Sequence, residues 1–162
     1  MLAQHGVECL LVGGVAARLY GATRATRDLD CVIRRTHSNL DRLAAALQEL
    51  RARLNVTGLS DEEAAALPVQ IDAETIARME ISTWRTDAGD LDILANMPDR
   101  SGRHMVYEEL YDRSRVITHD ELIVRVAGLD DIIASKEWAN RPKDRLALPE
   151  LYELASLPPK NG

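Results

Sequence analysis

Leu11-Val12-Gly13-Gly14, thirteen intervening residues, and then Asp28-Leu29-Asp30-Cys31 form the stretch on which the reading of the fold turns. Glu8 to Val12 reads as a short buried strand, because apolar residues run up to a glycine pair. A helix is expected from Val15 to Tyr20, closed by Gly21 and followed by a polar turn from Ala22 to Arg27. Asp28 to Ile33 then alternates as a strand does, with Asp28, Asp30 and Val32 on one face and Leu29, Cys31 and Ile33 on the other. Two carboxylates so spaced lie about 7 Å apart along one strand face. Left alone they repel each other, and the separation is small enough for them to share magnesium ions. A glycine pair opening a helix lets the backbone approach a phosphate, whose charge the exposed amides and the helix dipole favour.

Working outward, Ser38 is the expected N-cap of a helix running to about Leu54, with Leu40, Leu43, Ala44, Leu47, Leu50 and Leu54 at helical spacing. Asp61 to Leu67 and Ala73 to Arg78 read as weaker helices joined by Pro68, an insertion on the rim. Glu80 to Arg85 and Leu91 to Ala95 flank the turn residues Asp87 to Asp90 and are expected to pair as a hairpin, which places Asp92 in a strand. Tyr107 to Tyr111 reads as a short helix, Leu122 to Val126 as a strand, and Leu129 to Trp138 and Pro142 to Ala155 as helices, the last with Pro142 in its first turn. Residues before Glu8 read as the end of a helix, and the tail from Pro158 to Gly162 as frayed.

The chain has 162 residues, 46% hydrophobic and 28% charged, which fits one globular domain over residues 1–162, with a sheet region at about 7–126 and C-terminal helices at about 129–156. Its formal net charge of −6 argues against coating nucleic acid through a broad basic face. Basic residues nevertheless bunch at Arg18, Arg24, Arg27, Arg34 and Arg35, and again at Lys136, Arg141, Lys143 and Arg145. Cys9 and Cys31 fall in strands without CxxC spacing, so a reduced pair in a reducing compartment, the cytoplasm, is expected. No apolar run reaches the roughly 18 residues of a spanning helix, and no basic leader precedes the first apolar stretch.

A hydrophobic strand, Gly-Gly, a spacer and Asp-x-Asp on the next strand together resemble the signature of the DNA polymerase β-like nucleotidyltransferases. The resemblance implies an α/β (α+β) fold, a small twisted mixed sheet with helices packed on it. Asp92, in Gly89-Asp90-Leu91-Asp92-Ile93-Leu94, matches that superfamily's third carboxylate. By this likeness Asp28, Asp30 and Asp92 hold magnesium ions that align an acceptor hydroxyl with the α-phosphate of a nucleoside triphosphate and stabilise the departing pyrophosphate.

Two further stretches, Gly21-Ala22-Thr23-Arg24-Ala25-Thr26-Arg27-Asp28 and Leu129 to Lys136 followed by Arg141-Pro142-Lys143-Asp144, resemble the AbiEii-type toxin nucleotidyltransferases, the group that includes the tRNA-modifying MenT toxins. This closer likeness runs from about Val7 to Leu154, with Asn55 to Met79 unmatched. It implies that Lys136 and Asp144 complete the active site: an ammonium as a point charge for the triphosphate, and an acid to orient it or the acceptor hydroxyl. Gly13, Gly14, Arg24, Lys136 and Arg141 are the expected nucleotide contacts, although Arg27 and Arg141 suit carboxylate partners equally. Many relatives carry another acid where this chain has Ala147, so that acid's role is not carried over.

The likeness points to a nucleoside triphosphate as substrate, the tRNA 3′ end as acceptor, a cognate antitoxin as partner and no membrane association. Adenylylation of a small molecule such as an antibiotic, or of a partner protein, is the alternative enzymatic reading; a non-catalytic binding module is the third. Asp90 reads as a turn residue, and His5, His37, His104 and His119 show no zinc spacing. Trp84, Trp138, Tyr107 and Tyr111 suit core or rim packing more than base stacking. Thr23 and Thr26 suit a turn more than a modified off switch.

Overall fold

The computed structural model describes residues 1–56, 58–67, 69–119 and 122–157. Pro68 and the tail from Pro158 to Gly162, both singled out above, lie outside them. β1 (Cys9–Val12) leads directly into α1 (Gly13–Leu19), and β2 (Leu29–Ile33) returns antiparallel to β1 with Leu10 opposite Val32 and Val12 opposite Asp30. β2 then pairs in parallel with β5 (Gly89–Leu94), which forms the expected hairpin with β4 (Ile81–Thr86). β9 (Leu122–Val126) lies parallel to the other side of β1. With β3 (Arg53–Leu54) and β8 (Arg115–His119) at the edges, the described strands form a mixed seven-stranded sheet in the order β3-β4-β5-β2-β1-β9-β8. A separate hairpin joins β6 (Asn96–Pro98) to β7 (His104–Val106).

Strand alternation sorts the residues as the sequence implies. On one face Val12, Asp30, Asp92 and Thr83 stand in register across four strands. On the other face Leu11, Cys31, Ile93 and Ser82 are aligned in the same way and are all buried. Trp84 is almost wholly buried, and its indole donates to Ser82 Oγ at 2.8 Å, so it is a core residue with its polar edge satisfied. Cys9 and Cys31 are both free thiols, the second fully buried.

α2 (His37–Glu49) sends Leu40, Leu43, Ala44, Ala46 and Leu47 into the core. The helix starts two residues earlier than the sequence suggests, with Thr36 at the N-cap and Ser38 inside. It also ends five residues earlier. Arg51 takes a left-handed φ of 50°, its N–H bonds the Gln48 carbonyl, and the Ala52 N–H reaches back to Leu47, the paired bonds of a Schellman turn. Because that turn is made without glycine, in a stretch of good helix formers, periodicity alone carries the expectation on to Leu54, which in fact pairs with Trp84 as part of β3. The two short helices of the rim are α3 (Asp61–Ala65), capped by Ser60 and Glu63, and α4 (Ala73–Ala77), capped by Asp72.

α5 (Tyr107–Tyr111) packs on β1, and α6 (Leu129–Ala139) packs against both α1 and α7 (Pro142–Ser156). The Tyr20 hydroxyl donates to the Ala127 carbonyl at 2.9 Å and ties the end of α1 to the start of α6. No helix among the described residues is long and apolar enough to cross a membrane.

The first turn of α6 is fixed by Asp131, 8% exposed, whose two carboxylate oxygens accept from the Arg113 guanidinium at 2.9 to 3.1 Å. Removing the arginine strands a carboxylate that burial penalises, whereas the Arg78–Glu74 pair is exposed on both sides. Since Arg113 is itself about half exposed, Arg113→Ala is expected to lower unfolding free energy by about 2 kcal/mol, against less than about 0.5 kcal/mol for Arg78→Ala. Urea denaturation of the two variants checks the difference.

Candidate active site

A cleft of about 430 Å³ opens where the C-terminal end of β1 and the N-terminal end of β2 face α7. Its lining brings together Gly13, Gly14, Arg24, Asp28, Asp30, Asp92, Lys136 and Arg141, eight of the nine residues singled out from the sequence. Asp144 is the ninth and does not line it.

The glycine pair has a structural reason in addition to the one expected. Gly13 has φ +65°, and a Cβ there would lie 2.0 Å from Asp30 Oδ2; one on Gly14 would lie 2.7 Å from Thr26 Oγ1. The Gly14 N–H also donates to the Asp30 carboxylate. Glycine at these positions therefore lets the turn close down on the second acid and on the segment before it.

Asp30 and Asp92 are register partners on adjacent parallel strands. Burial first, and then the neighbouring Asp92 charge, raise the Asp30 carboxyl to about 6, against the opposing pull of the Gly14 amide and Lys143. Asp92 Oδ1 is buried and has no hydrogen-bond partner among the described residues. Asp28 stands one residue ahead of β2, exposed, and faces the same cleft. Asp90 belongs to the hairpin opposite Arg85, is exposed, and lies outside the cleft. Among the described residues no group of three or more His, Cys, Asp or Glu side chains is placed to hold a metal ion by itself.

Lys136 and Arg141 converge on Asp144, the lysine Nζ at 3.4 Å from Oδ1 and the Arg141 Nε at 2.6 Å from Oδ2. Asp144 has no exposed surface. Burial is the largest influence on its carboxyl and raises it, but Arg141 and Lys136 together outweigh burial and hold it below the usual range. An acid so occupied positions the two cations. Arg145 turns away instead and donates to the Asn140 carbonyl and side chain.

Lys143, Ala147, Glu150 and Leu151 also line the cleft. Glu150 was not singled out from the sequence, although these four positions are spaced i, i+4, i+7 and i+8, one face of a helix. Thr26 lies against Gly14, and Thr23 donates to Glu150. The aromatic residues sit elsewhere: Trp138 covers Gly102, and Tyr111 lies beneath the Arg125 guanidinium at 4.3 Å.

Because the folded state binds the Asp30 proton more tightly than an unfolded chain does, stability contributed at low pH is lost as pH rises from about 4 to about 6. Asp30→Asn removes that loss. In the absence of divalent cations the variant is expected to melt higher than the parent protein at pH 7.5, by up to roughly 3 kcal/mol before solvent screening is discounted. The gap should shrink to nothing near pH 4, and a pH series of thermal melts measures it.

Comparison with solved structures places this fold beside two antibiotic-modifying enzymes. The lincosamide antibiotic adenylyltransferase LnuA, bound to lincomycin, superposes with a TM-score of 0.60 at 11% identity, covering 94% of this chain and 90% of that one. ANT(2")-Ia in complex with adenylyl-2"-tobramycin gives a TM-score of 0.55 at 15% identity, covering 94% and 80%. These likenesses establish the shared polymerase β-like fold. A comparison with curated proteins gives no match. Residues 1–148 match the family described as the nucleotidyl transferase AbiEii toxin of type IV toxin–antitoxin systems. With nearly the whole chain matched and the fold shared with nucleotidyltransferases, the protein belongs to the AbiEii family and is a nucleotidyltransferase.

Proposed function

We propose that the enzyme transfers a nucleoside monophosphate from a nucleoside triphosphate to the 3′-terminal hydroxyl of tRNA, with Asp28, Asp30 and Asp92 holding magnesium, as a growth-arresting toxin countered by a cognate antitoxin. The single observation that carries a triphosphate site is the pairing of two carboxylates with cations that have no other occupation. Arg24, Arg27 and Lys143 line the cleft without an ion-pair or hydrogen-bond partner among the described residues. In an acidic chain most other arginines are engaged, Arg34 and Arg42 with Glu8, Arg103 with Asp99 and Glu109. Free positive charge kept in one concave place suits a polyanion.

The acids fit a divalent cation. An orphaned Asp92 oxygen and an Asp30 carboxyl raised by burial and by its neighbour are what two carboxylates look like when a positive charge is wanted between them. Magnesium is characteristically held by one or two carboxylates with substrate phosphates completing its shell, so a preformed cage of three is not required. When bound it would supply charge for the departing pyrophosphate. The chain's own residues do the remaining work. Arg24, Lys136 and Lys143 bind phosphate oxygens, Asp144 holds Lys136 and Arg141 at the cleft wall, and the Gly13-Gly14 turn fixes Asp30.

Antibiotic acceptors, named for the two solved neighbours, are the competing class. Incubating the protein with magnesium, each radiolabelled triphosphate and total RNA in one arm, and with aminoglycoside or lincosamide antibiotics and lysate protein in the others, separates them. Label at tRNA 3′ ends is the expected result; label confined to a small molecule or a protein removes the RNA acceptor.

Lys136→Ala is expected to lower kcat/KM for the triphosphate about 30- to 150-fold, the worth of roughly 2 to 3 kcal/mol for a charge-assisted phosphate contact. Arg145→Ala, which removes the same charge from outside the cleft, should change it less than about 3-fold. Equal losses in the two variants would mean that only the general field near these helices matters.

A further inference from the structure

The 22–27 segment has no helix or strand of its own, yet Ala22, Arg24, Ala25, Thr26 and Arg27 all line the cleft. Its start is fixed by backbone bonds from Gly21 to Arg18 and from Ala22 to Ala17, and pairing resumes only at Leu29 opposite Leu91. Between those points, its hydrogen bonds among the described residues all go to one atom. The Thr23 N–H and the Thr23 hydroxyl both donate to Glu150 Oε1, at 2.7 and 2.8 Å. Glu150 stands on α7, 127 residues away in sequence, on the face that lines the cleft.

We propose that Glu150 is a positioning residue: it latches the 22–27 segment against α7, so that Arg24 and Arg27 already face the cleft when the triphosphate arrives. This rests on the reading of the cleft as the triphosphate site. A charged acceptor taking two donors from Thr23, near the start of a segment untied from there to Leu29, is a local clasp, strong enough to bias a loop and weak enough to release it. Its effect is on the population of the binding-competent loop. If the segment without its clasp is closed a tenth of the time, the apparent affinity for the triphosphate falls about tenfold, while a saturated enzyme turns over as before. Glutamine keeps the carbonyl oxygen that both donors use, so charge is dispensable for the clasp.

Arg24 and Arg27 are themselves trypsin sites, which gives a readout independent of catalysis. In limited trypsinolysis of the full chain without nucleotide, Glu150→Ala is expected to be cut after Arg24 and Arg27 about tenfold faster than the parent, and Glu150→Gln within about twofold of it. Thr23→Val, which removes one of the two donors, should give a smaller acceleration in the same direction, and none beyond that of Glu150→Ala when the two are combined. In steady state Glu150→Ala should raise KM for the triphosphate about tenfold with kcat within about twofold, rescued by Glu150→Gln. Unchanged cleavage in both Glu150→Ala and Thr23→Val overturns the latch. A kcat lost as heavily in Glu150→Gln as in Glu150→Ala also overturns it, by assigning the carboxylate to the chemistry. The proteolysis result stands whether or not the ligand is a triphosphate, so failure of the latch and failure of the functional reading are told apart.

Discussion

Parallel pairing of β2 with β5 sets Asp30 and Asp92 side by side across adjacent strands, and this juxtaposition of like charges governs much of what surrounds it. Burial first, and then the neighbouring Asp92 charge, lift the Asp30 carboxyl to about 6. A protein selected only for stability would place a hydroxyl or an apolar residue at one of the two positions. The sheet instead keeps both, with Val12 and Thr83 on either side in the same row. The energetic cost is carried by a large buried core on the opposite face, where Cys31, Ile33, Trp84 and Ile93 are closed off from solvent.

Around that pair the distribution of positive charge is uneven in a consistent way. Several guanidinium groups away from the cleft are committed to carboxylates, as Arg113 is to Asp131 and Arg100 to Glu137. The cations at the cleft either have no ion-pair or hydrogen-bond partner among the described residues, as with Arg24, Arg27 and Lys143, or are held at its wall by a buried acid, as Lys136 and Arg141 are by Asp144. Asp144 is tolerable at 0% exposure because two cations and the Arg141 N–H meet its oxygens. An acidic protein can in this way present a local anion site without a basic face.

Much of this was legible in the sequence. The Gly-Gly and Asp-x-Asp spacing, the alternation through Ile33 and the Asp87 to Asp90 turn define β1, α1, β2 and the β4–β5 hairpin, because strand and helix periods are local properties of the chain. They also single out Gly13, Gly14, Asp28 and Asp30, while Asp92 came from the resemblance to the polymerase β-like superfamily, and Lys136 and Asp144 from that to AbiEii-type enzymes. Where local signals were weak the reading was incomplete. β6, β7 and β8 are three to five residues long and carry no clear alternation, and the end of α2 was hidden by a Schellman turn made with Arg51.

What only the tertiary structure decided is which of these residues meet, and in what role. Register across β2 and β5 is set by packing of whole strands, so the pairing of Asp30 with Asp92 cannot be had from either strand alone. Asp144 reads in sequence as an acid that orients the lysine or the acceptor hydroxyl; folding buries it against Lys136 and Arg141, which it holds in place. Glu150 carries no motif at all, and becomes notable only because α7 brings it to Thr23. The sequence by itself determined the chemical types and the elements that bear them, since those follow from local period and spacing. Contact between residues far apart in the chain depends on how the sheet and helices close on one another, and that only the folded structure decides.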